Sequence, residues 1–488
     1  MPDLISLSRE ELIALIVAQQ TMIADQQRQI AELREEIDQL RRGGKRQAAP
    51  FSKGQRVESP KAPGRKPGRG PFRRRAEPVQ PAQETIVARA PARCPHCGGR
   101  LAPEREETAT TTDLPARPEP VVTIYLVPVC RCQDCGKPVR GTAPGLAPDQ
   151  IGATAHRLGP RVMAAAHALH YATGIPVRKV PEVLRELTGI EVTQGALTQD
   201  ALRRAVGPVG AAYEELRGQV REAPVVHTDD TGWRIQGEPA FLMGFDTDRS
   251  TVYQIRDRHR NEEVREIIPG DYAGVMVSDR GKSYDAAEFD GVACQKCLGH
   301  LLRNLSEVVA SKRGRARCFG ARLMVLLREG LALWHARGEL GADEVRTRAK
   351  LLDEQLTDHL RRRSLRDDDN QRLLDGIGLQ HDRGRLLLFL TRPGVEPTNN
   401  RAERILRPAV IARKVSHCSK NQRGAEAFAA FVSIAQTARK TLGLTVSQAF
   451  QSAFARSLSA PAANQLRTTH IGRNSLALSN ASRAMSTA

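Results

Sequence analysis

Residues 225–235 read VVHTDDTGWRI. Two valines lead into a histidine, a threonine and two adjacent aspartates, after which apolar residues resume. A short apolar run of this kind predicts a buried strand. Burying a carboxylate is costly unless something compensates it. The strand has therefore either reached solvent at Asp229 and Asp230, or something cationic sits at its end. A second stretch, GVMVSDRGKSY at 274–284, repeats the pattern, with an apolar run that stops at Asp279. Ligand sites of open sheets gather at strand ends, so acids ending two strands of one sheet can converge. Unpaired carboxylates at close range repel, and one of them stays protonated. A divalent cation removes that conflict: one or two carboxylates plus substrate phosphates are the usual magnesium environment.

The surrounding sequence predicts the sheet. PVVHTDD, FLMGFDT, TVYQIRD, GVMVSD and GVACQKC read as five strands between 224 and 297, and helices are expected at NEEVREII and SYDAAEF. Three consecutive strands, then helix–strand–helix–strand, predict a mixed sheet with helices packed on it. A third acid is offered by PTNNRAERILRP at 397–408, where Asn400, Glu403 and Arg407 share one helix face. Asn400 as helix cap with Glu403 three residues on is the structural alternative there.

N-terminal to the sheet, 156–222 is helical in pattern. Residues 177–206 give a helix, a glycine-containing turn and a second helix with Thr193 at its start, like a helix-turn-helix, a pairing common in any helical domain. Further upstream stand CPHC and CQDC. Cys94/Cys97 and Cys132/Cys135 have the two-residue gap with which thiolates grip one tetrahedral zinc. VVTIYLVPV at 121–129 reads as a strand feeding the second pair, as in a zinc ribbon. Cys130 and His96 are spare candidates.

Residues 41–75 hold thirteen Lys/Arg and one acid, Glu58, so this stretch supplies +12 of the chain's net +19. Glycine and proline interrupt any helix there. Such charge binds phosphates without reading sequence, and Arg65, Lys66, Arg69, Arg73, Arg74 and Arg75 are its candidate DNA contacts. Leu12, Ile16, Gln19, Ile23, Gln26, Ile30, Leu33, Ile37 and Leu40 keep the period of a coiled-coil seam over 9–42, which implies a homo-oligomer. No apolar run approaches the ~18 residues of a membrane span. The N-terminus has no signal-peptide core, so a cytoplasmic location is expected.

These motifs, in type and order, resemble the DDE transposases of bacterial insertion sequences, specifically insertion-sequence family 66, from the coiled coil to about residue 445. VHTDDTGW is similar to the family's first acidic motif, GVMVSDRGKSY to the second and TNNRAERILRPAVIARK to the third. The resemblance implies Asp229, Asp279 and Glu403 as catalytic acids holding Mg2+ or Mn2+, and it ranks Asp229 above Asp230. It also implies one structural Zn2+ in the four-cysteine ribbon and a Cys-x-x-His signature at Cys297 and His300 whose role it leaves open. The expected partners are element ends and target DNA, with small accessory proteins of the same element. Arg407, Arg413 and Lys414 are candidates for steadying phosphate charge.

The expected architecture is multidomain α+β. It comprises a coiled coil (9–42), a basic linker (43–90), a zinc ribbon (91–145) and a helical, helix-turn-helix-like domain (150–222). A ribonuclease-H-like mixed-sheet core follows (223–300), then a helical insertion (301–396), the end of the core (397–456) and a disordered tail (457–488). The implied reaction is hydrolysis at the element's ends followed by strand transfer. A non-catalytic repressor descended from such an enzyme, or a nuclease of the same fold, would share many of these features.

Overall fold

The computed structural model describes residues 8–9, 13, 15, 18–30, 85–89, 91–102, 109, 111 and 119–456, the last range without 362 and 417. The basic stretch with Arg65, Lys66, Arg69, Arg73, Arg74 and Arg75, and the tail from 457, lie outside the described residues. The chain divides into two units, Met1–Thr112 and Asp113–Ala488.

In the first unit, residues 18–30 are helical, and Ile23 and Ile30, both on the expected seam, are about half exposed, at 53% and 48%. Cys94 opens a tight turn in which Gly98 N donates to Cys94 O (2.8 Å) and Cys94 N to Gly99 O (3.0 Å). Gly98 has φ +72°, a conformation that disfavours a side chain.

The second unit begins with the matching turn. Gly136 N donates to Cys132 O and Cys132 N to Lys137 O, both at 2.9 Å, with Gly136 at φ +69°. A short antiparallel ribbon flanks it, β1 (Val129–Arg131) against β2 (Pro138–Arg140). The strand expected over 121–129 is corrected: only Val129 enters one. Val121, Val122, Ile124 and Leu126 are exposed, and a strand exists only where a neighbour takes its hydrogen bonds.

Helix Val180–Thr188 ends at Gly189, and helix Gln194–Ala205 starts at Thr193, whose hydroxyl accepts from Ala196 N at 3.2 Å. Beyond them stands a five-stranded mixed sheet of β3 (Val225–Ile235), β4 (Glu238–Asp246), β5 (Thr251–Arg256), β6 (Val275–Ser278) and β7 (Ala293–Lys296). Its order is β5-β4-β3-β6-β7. The first three strands form an antiparallel meander, while β6 and β7 run parallel to β3. This mixed α+β arrangement is compatible with a ribonuclease-H-like core. NEEVREII forms only the short helix Asn261–Arg265, and SYDAAEF forms two single 3-10 turns rather than a helix.

Strand alternation decides the two faces. Val226, Met243 and Met276 enter the core shared with helices Pro208–Arg221 and Gln422–Ala438. Val275 and Val277 enter the core of the insertion, with Leu298, Leu301 and Leu305 of helix Leu298–Ser311 and leucines of helix Gly314–Ala336. Toward the tip of the β3–β4 arm, Trp233, Ala240 and Leu242 pack on Leu406 and Ala409 of helix Asn400–Ser416. Among the described residues no helix is long and apolar enough to cross a membrane.

Candidate active site

The first strand does not end at its acids. β3 loses β6 after His227↔Val277 but stays paired with β4 to Ile235. Asp229 and Asp230 therefore stand where the sheet opens on one side only.

The register then places the second acid. β3 and β6 pair at a constant offset of 50 (277 − 227), and Asp279 is 50 residues beyond Asp229 (279 − 229). The pairing itself ends at His227↔Val277, so both acids stand just past the last paired residues of β3 and β6. Asp229 shares the alternation of Val225 and His227, and Asp279 follows directly on Ser278, the last residue of β6.

Gly244 on β4 fixes what covers Asp229. It pairs with Asp229, and a Cβ built on it would stand 2.8 Å from Ile405 Cδ1 and 3.2 Å from Leu406 Cδ2. Antiparallel partners share a face. The helix bearing Glu403 therefore lies over the side that Asp229 faces, and a side chain at 244 would have to displace the ends of Ile405 and Leu406. Asp230 pairs with Met243 and belongs to the opposite face, where His259 Nδ1 approaches its Oδ1 at 3.3 Å.

Several anchors hold the helix with Glu403 in place. Buried Asn399 donates through Nδ2 to Thr228 O (2.7 Å). Arg401 bridges Asp246 (2.6 Å) and Asp248 (2.5 Å), and Tyr253 donates through its hydroxyl to Ile405 O (2.6 Å). Arg413 donates to Thr231 Oγ1 (3.1 Å) and to Gly232 O, so this candidate phosphate contact is engaged inside the chain. Arg407 and Lys414 are exposed. Glu403 N donates to Asn399 O, which makes Asn400 the first helical residue rather than the cap, and the capping alternative lapses. The Glu403 side chain is 41% exposed and its Oε1 lies 3.8 Å from His300 Nε2.

Electrostatics separates the acids. Burial pushes the Asp229 carboxyl up to about 7. The Asp230 backbone N–H opposes this, but the charges of Asp279, Asp230 and Glu403 add to it. Burial also raises Asp230, where His259 opposes the shift and Asp279 adds to it. Asp229 is thus the acid of the doublet that senses both Asp279 and Glu403. Asp279 Oδ1 accepts from Gly281 N at 2.8 Å, which orients its carboxylate.

The two cysteine turns share an electrostatic feature. Backbone N–H groups of His96 and Cys97 lower the Cys94 thiol, and those of Cys135 and Asp134 lower Cys132, each helped by the second cysteine of its pair. Lowered thiols favour thiolate, the metal-binding form. Among the described residues, which include Asp229, Asp279 and Glu403 as well as the cysteines, no group of three or more His, Cys, Asp or Glu side chains is gathered closely enough to hold a metal ion.

Sequence reasoning missed Asn399, although it adjoins the chosen Asn400; the doubled Asn was its only mark. It also missed Lys296, a lone charge in an apolar run that emerges fully buried beneath Asp279.

The sequence model of the IS66 family of transposases matches residues 156–427, more than half of the chain and all three acids, and the chain belongs to that family. No curated protein matches it. Membership assigns a transposase role in general and DNA as the partner.

Proposed function

We propose that the protein cuts the ends of a mobile DNA element and joins them to target DNA, in a divalent-metal-dependent reaction at Asp229, Asp279 and Glu403. The observation that carries this reading is that β3, which bears Asp229, pairs with β6, which Asp279 directly follows, while the Glu403 helix packs against Gly244, the partner of Asp229.

The donor set suits a hard cation. It is all carboxylate, and the neighbouring charges that shift Asp229 are themselves carboxylates. An ion held by one or two protein carboxylates and by phosphate oxygens needs no gathering of three side chains around one point. Bound there, Mg2+ or Mn2+ ions would supply activation of the attacking oxygen and charge neutralisation at the leaving 3′ oxygen. Asp229, Asp279 and Glu403 are the residues that would hold such ions, two or fewer of them to each ion. Both hydrolysis and strand transfer are in-line displacements at phosphorus, so one site serves both.

The basic stretch 41–75 supplies sequence-independent affinity, and the seam expected over 9–42, of which 31–42 lie outside the described residues, pairs chains. The cysteine turns bind Zn2+ as structural ligands. Incubating the purified protein and Mg2+ with a labelled element end tests the reading. A nick followed by a joined product is expected. A nick that never proceeds to joining contradicts transposition and leaves a nuclease.

A further inference from the structure

The signature Cys297-x-x-His300 has no role in the chemistry above, and it adjoins the buried lysine. The five residues from Lys296 to His300 touch the supports of two of the three acids. Lys296 Nζ, wholly buried, donates to Ser278 Oγ (3.1 Å), to the Asp279 carbonyl (3.0 Å) and to Asp285 Oδ1 (2.8 Å). Asp285 is held in turn by Arg385 Nη1 and Gln380 Nε2, each at 3.1 Å, from the insertion. Cys297 N donates to Ser278 O (2.9 Å) and so ties the same strand end. On the other side, Asn399 N donates to Cys297 Sγ (3.1 Å), Leu298 N donates to Pro397 O (2.9 Å), and His300 Nε2 faces Glu403 Oε1.

We infer that Lys296, Cys297 and His300 are positioning residues that set the spacing between Asp279, just past the end of β6, and Glu403 on the crossing helix. The geometry supports this over simple core packing. A buried ammonium is costly to desolvate, and a methionine would fill the same space without that cost. Here all three ammonium contacts go to the end of β6 or to the acid that braces it. The thiol, for its part, accepts from the backbone of the residue at which the Glu403 helix starts. Because Asp285 is also gripped by Arg385 and Gln380, the docking of the helical insertion is mechanically linked to the Asp279 carbonyl.

The inference rests on the metal-binding reading of the site, so it is tested by metal affinity rather than by turnover. Binding of Mn2+ to the full chain without DNA is followed through the magnetic resonance signal of free Mn2+, well below each variant's melting midpoint. Asp229→Asn marks the signal that belongs to the site. Lys296→Met, Cys297→Ala and His300→Ala are each expected to weaken that binding by about tenfold, the cost usual for groups that orient metal ligands. Cys297→Ser is expected to stay within about threefold of the parent, because serine retains an acceptor for Asn399 N while leaving about the same void as alanine. Parent-like affinity in Lys296→Met and Cys297→Ala overturns the inference, as does equal loss in the serine and alanine variants, which would make Cys297 a packing residue. A parent that binds no Mn2+ sensitive to Asp229→Asn overturns the metal-binding reading itself, a result distinct from the other two.

Discussion

Asp200 in the helical region and Asp229 in the sheet are both carboxylates withdrawn from water, and the protein surrounds them in opposite ways. Burial alone would raise both. At Asp200 it is outweighed by His167 Nε2 at 2.9 Å and by Arg203 and Arg204 at 2.6 Å each, and the carboxyl falls well below the usual range. At Asp229 the neighbouring charges are carboxylates, and the carboxyl rises to about 7. Asp246, buried beneath the Glu403 helix, is also paired with cations, Arg401 Nε at 2.6 Å and Lys440 Nζ at 2.5 Å. The chain thus supplies cations where an acid is structural. At Asp229 the charges that act on the carboxyl are those of other acids, and strongly perturbed groups of that kind mark functional sites.

The largest effect that would break this contrast is catalytic. Asp229→Asn, Asp279→Asn and Glu403→Gln should each slow nicking by at least about a thousandfold, some 4 kcal/mol of barrier, with DNA binding retained. Asp230→Asn, on the other face, should keep appreciable activity. Nicking kinetics on a labelled element end decide between these outcomes, and a dead Asp230→Asn beside an active Asp229→Asn reverses the assignment of the first acid.

Next comes stability. Asp200→Asn leaves two arginines and a histidine around an uncharged amide, and breaking a buried ion pair costs about 3 kcal/mol or more. Urea unfolding should show that loss, while nicking per folded molecule is unchanged.

The pH dependence sharpens the same contrast, because the two signs differ. Asp200, with a lowered folded pKa, stabilises above its unfolded pKa of about 3.9, and that contribution is lost as pH falls further. Asp229, with a raised folded pKa, binds its proton more tightly when folded. Its contribution therefore declines as pH rises from about 4 to about 7, by an amount of order 1–2 kcal/mol after solvent screening. Without divalent ions, the parent should lose stability relative to Asp229→Asn over that window. Adding Mg2+ should flatten the difference, and a difference unchanged by Mg2+ contradicts the reading.

The smallest effect separates holding DNA from cutting it. Deleting 41–75 should flatten the slope of log binding constant against log salt by about 0.9 for each phosphate that the stretch neutralises, while the metal requirement of nicking stays the same. An unchanged slope shows that the stretch only links.

Much of the sheet was legible because apolar runs bounded by turns are local signals. The five strands, the two acids after apolar runs and the helix bearing Glu403 were all readable. Local sequence does not show partners, which is why β3 was expected to stop at its acids. It continues to Ile235 because β4 follows it, while β6 stops. The run at 121–128 failed for the converse reason, being apolar but without a neighbouring strand. Asp229 over Asp230 came from the family resemblance. The structural argument for that ranking needs Gly244, more than ten residues away, whose missing side chain lets the helix approach. His300 beside Glu403 joins residues about a hundred positions apart, a pairing no spacing rule carries.

The most direct test of the central claim is diffraction from the protein soaked in Mn2+, with data collected at the manganese edge. The account predicts anomalous peaks bonded to the Asp229 carboxylate and shared with Asp279 and Glu403. A peak on Asp230 in place of Asp229, or none at Asp229 under saturating Mn2+, contradicts it.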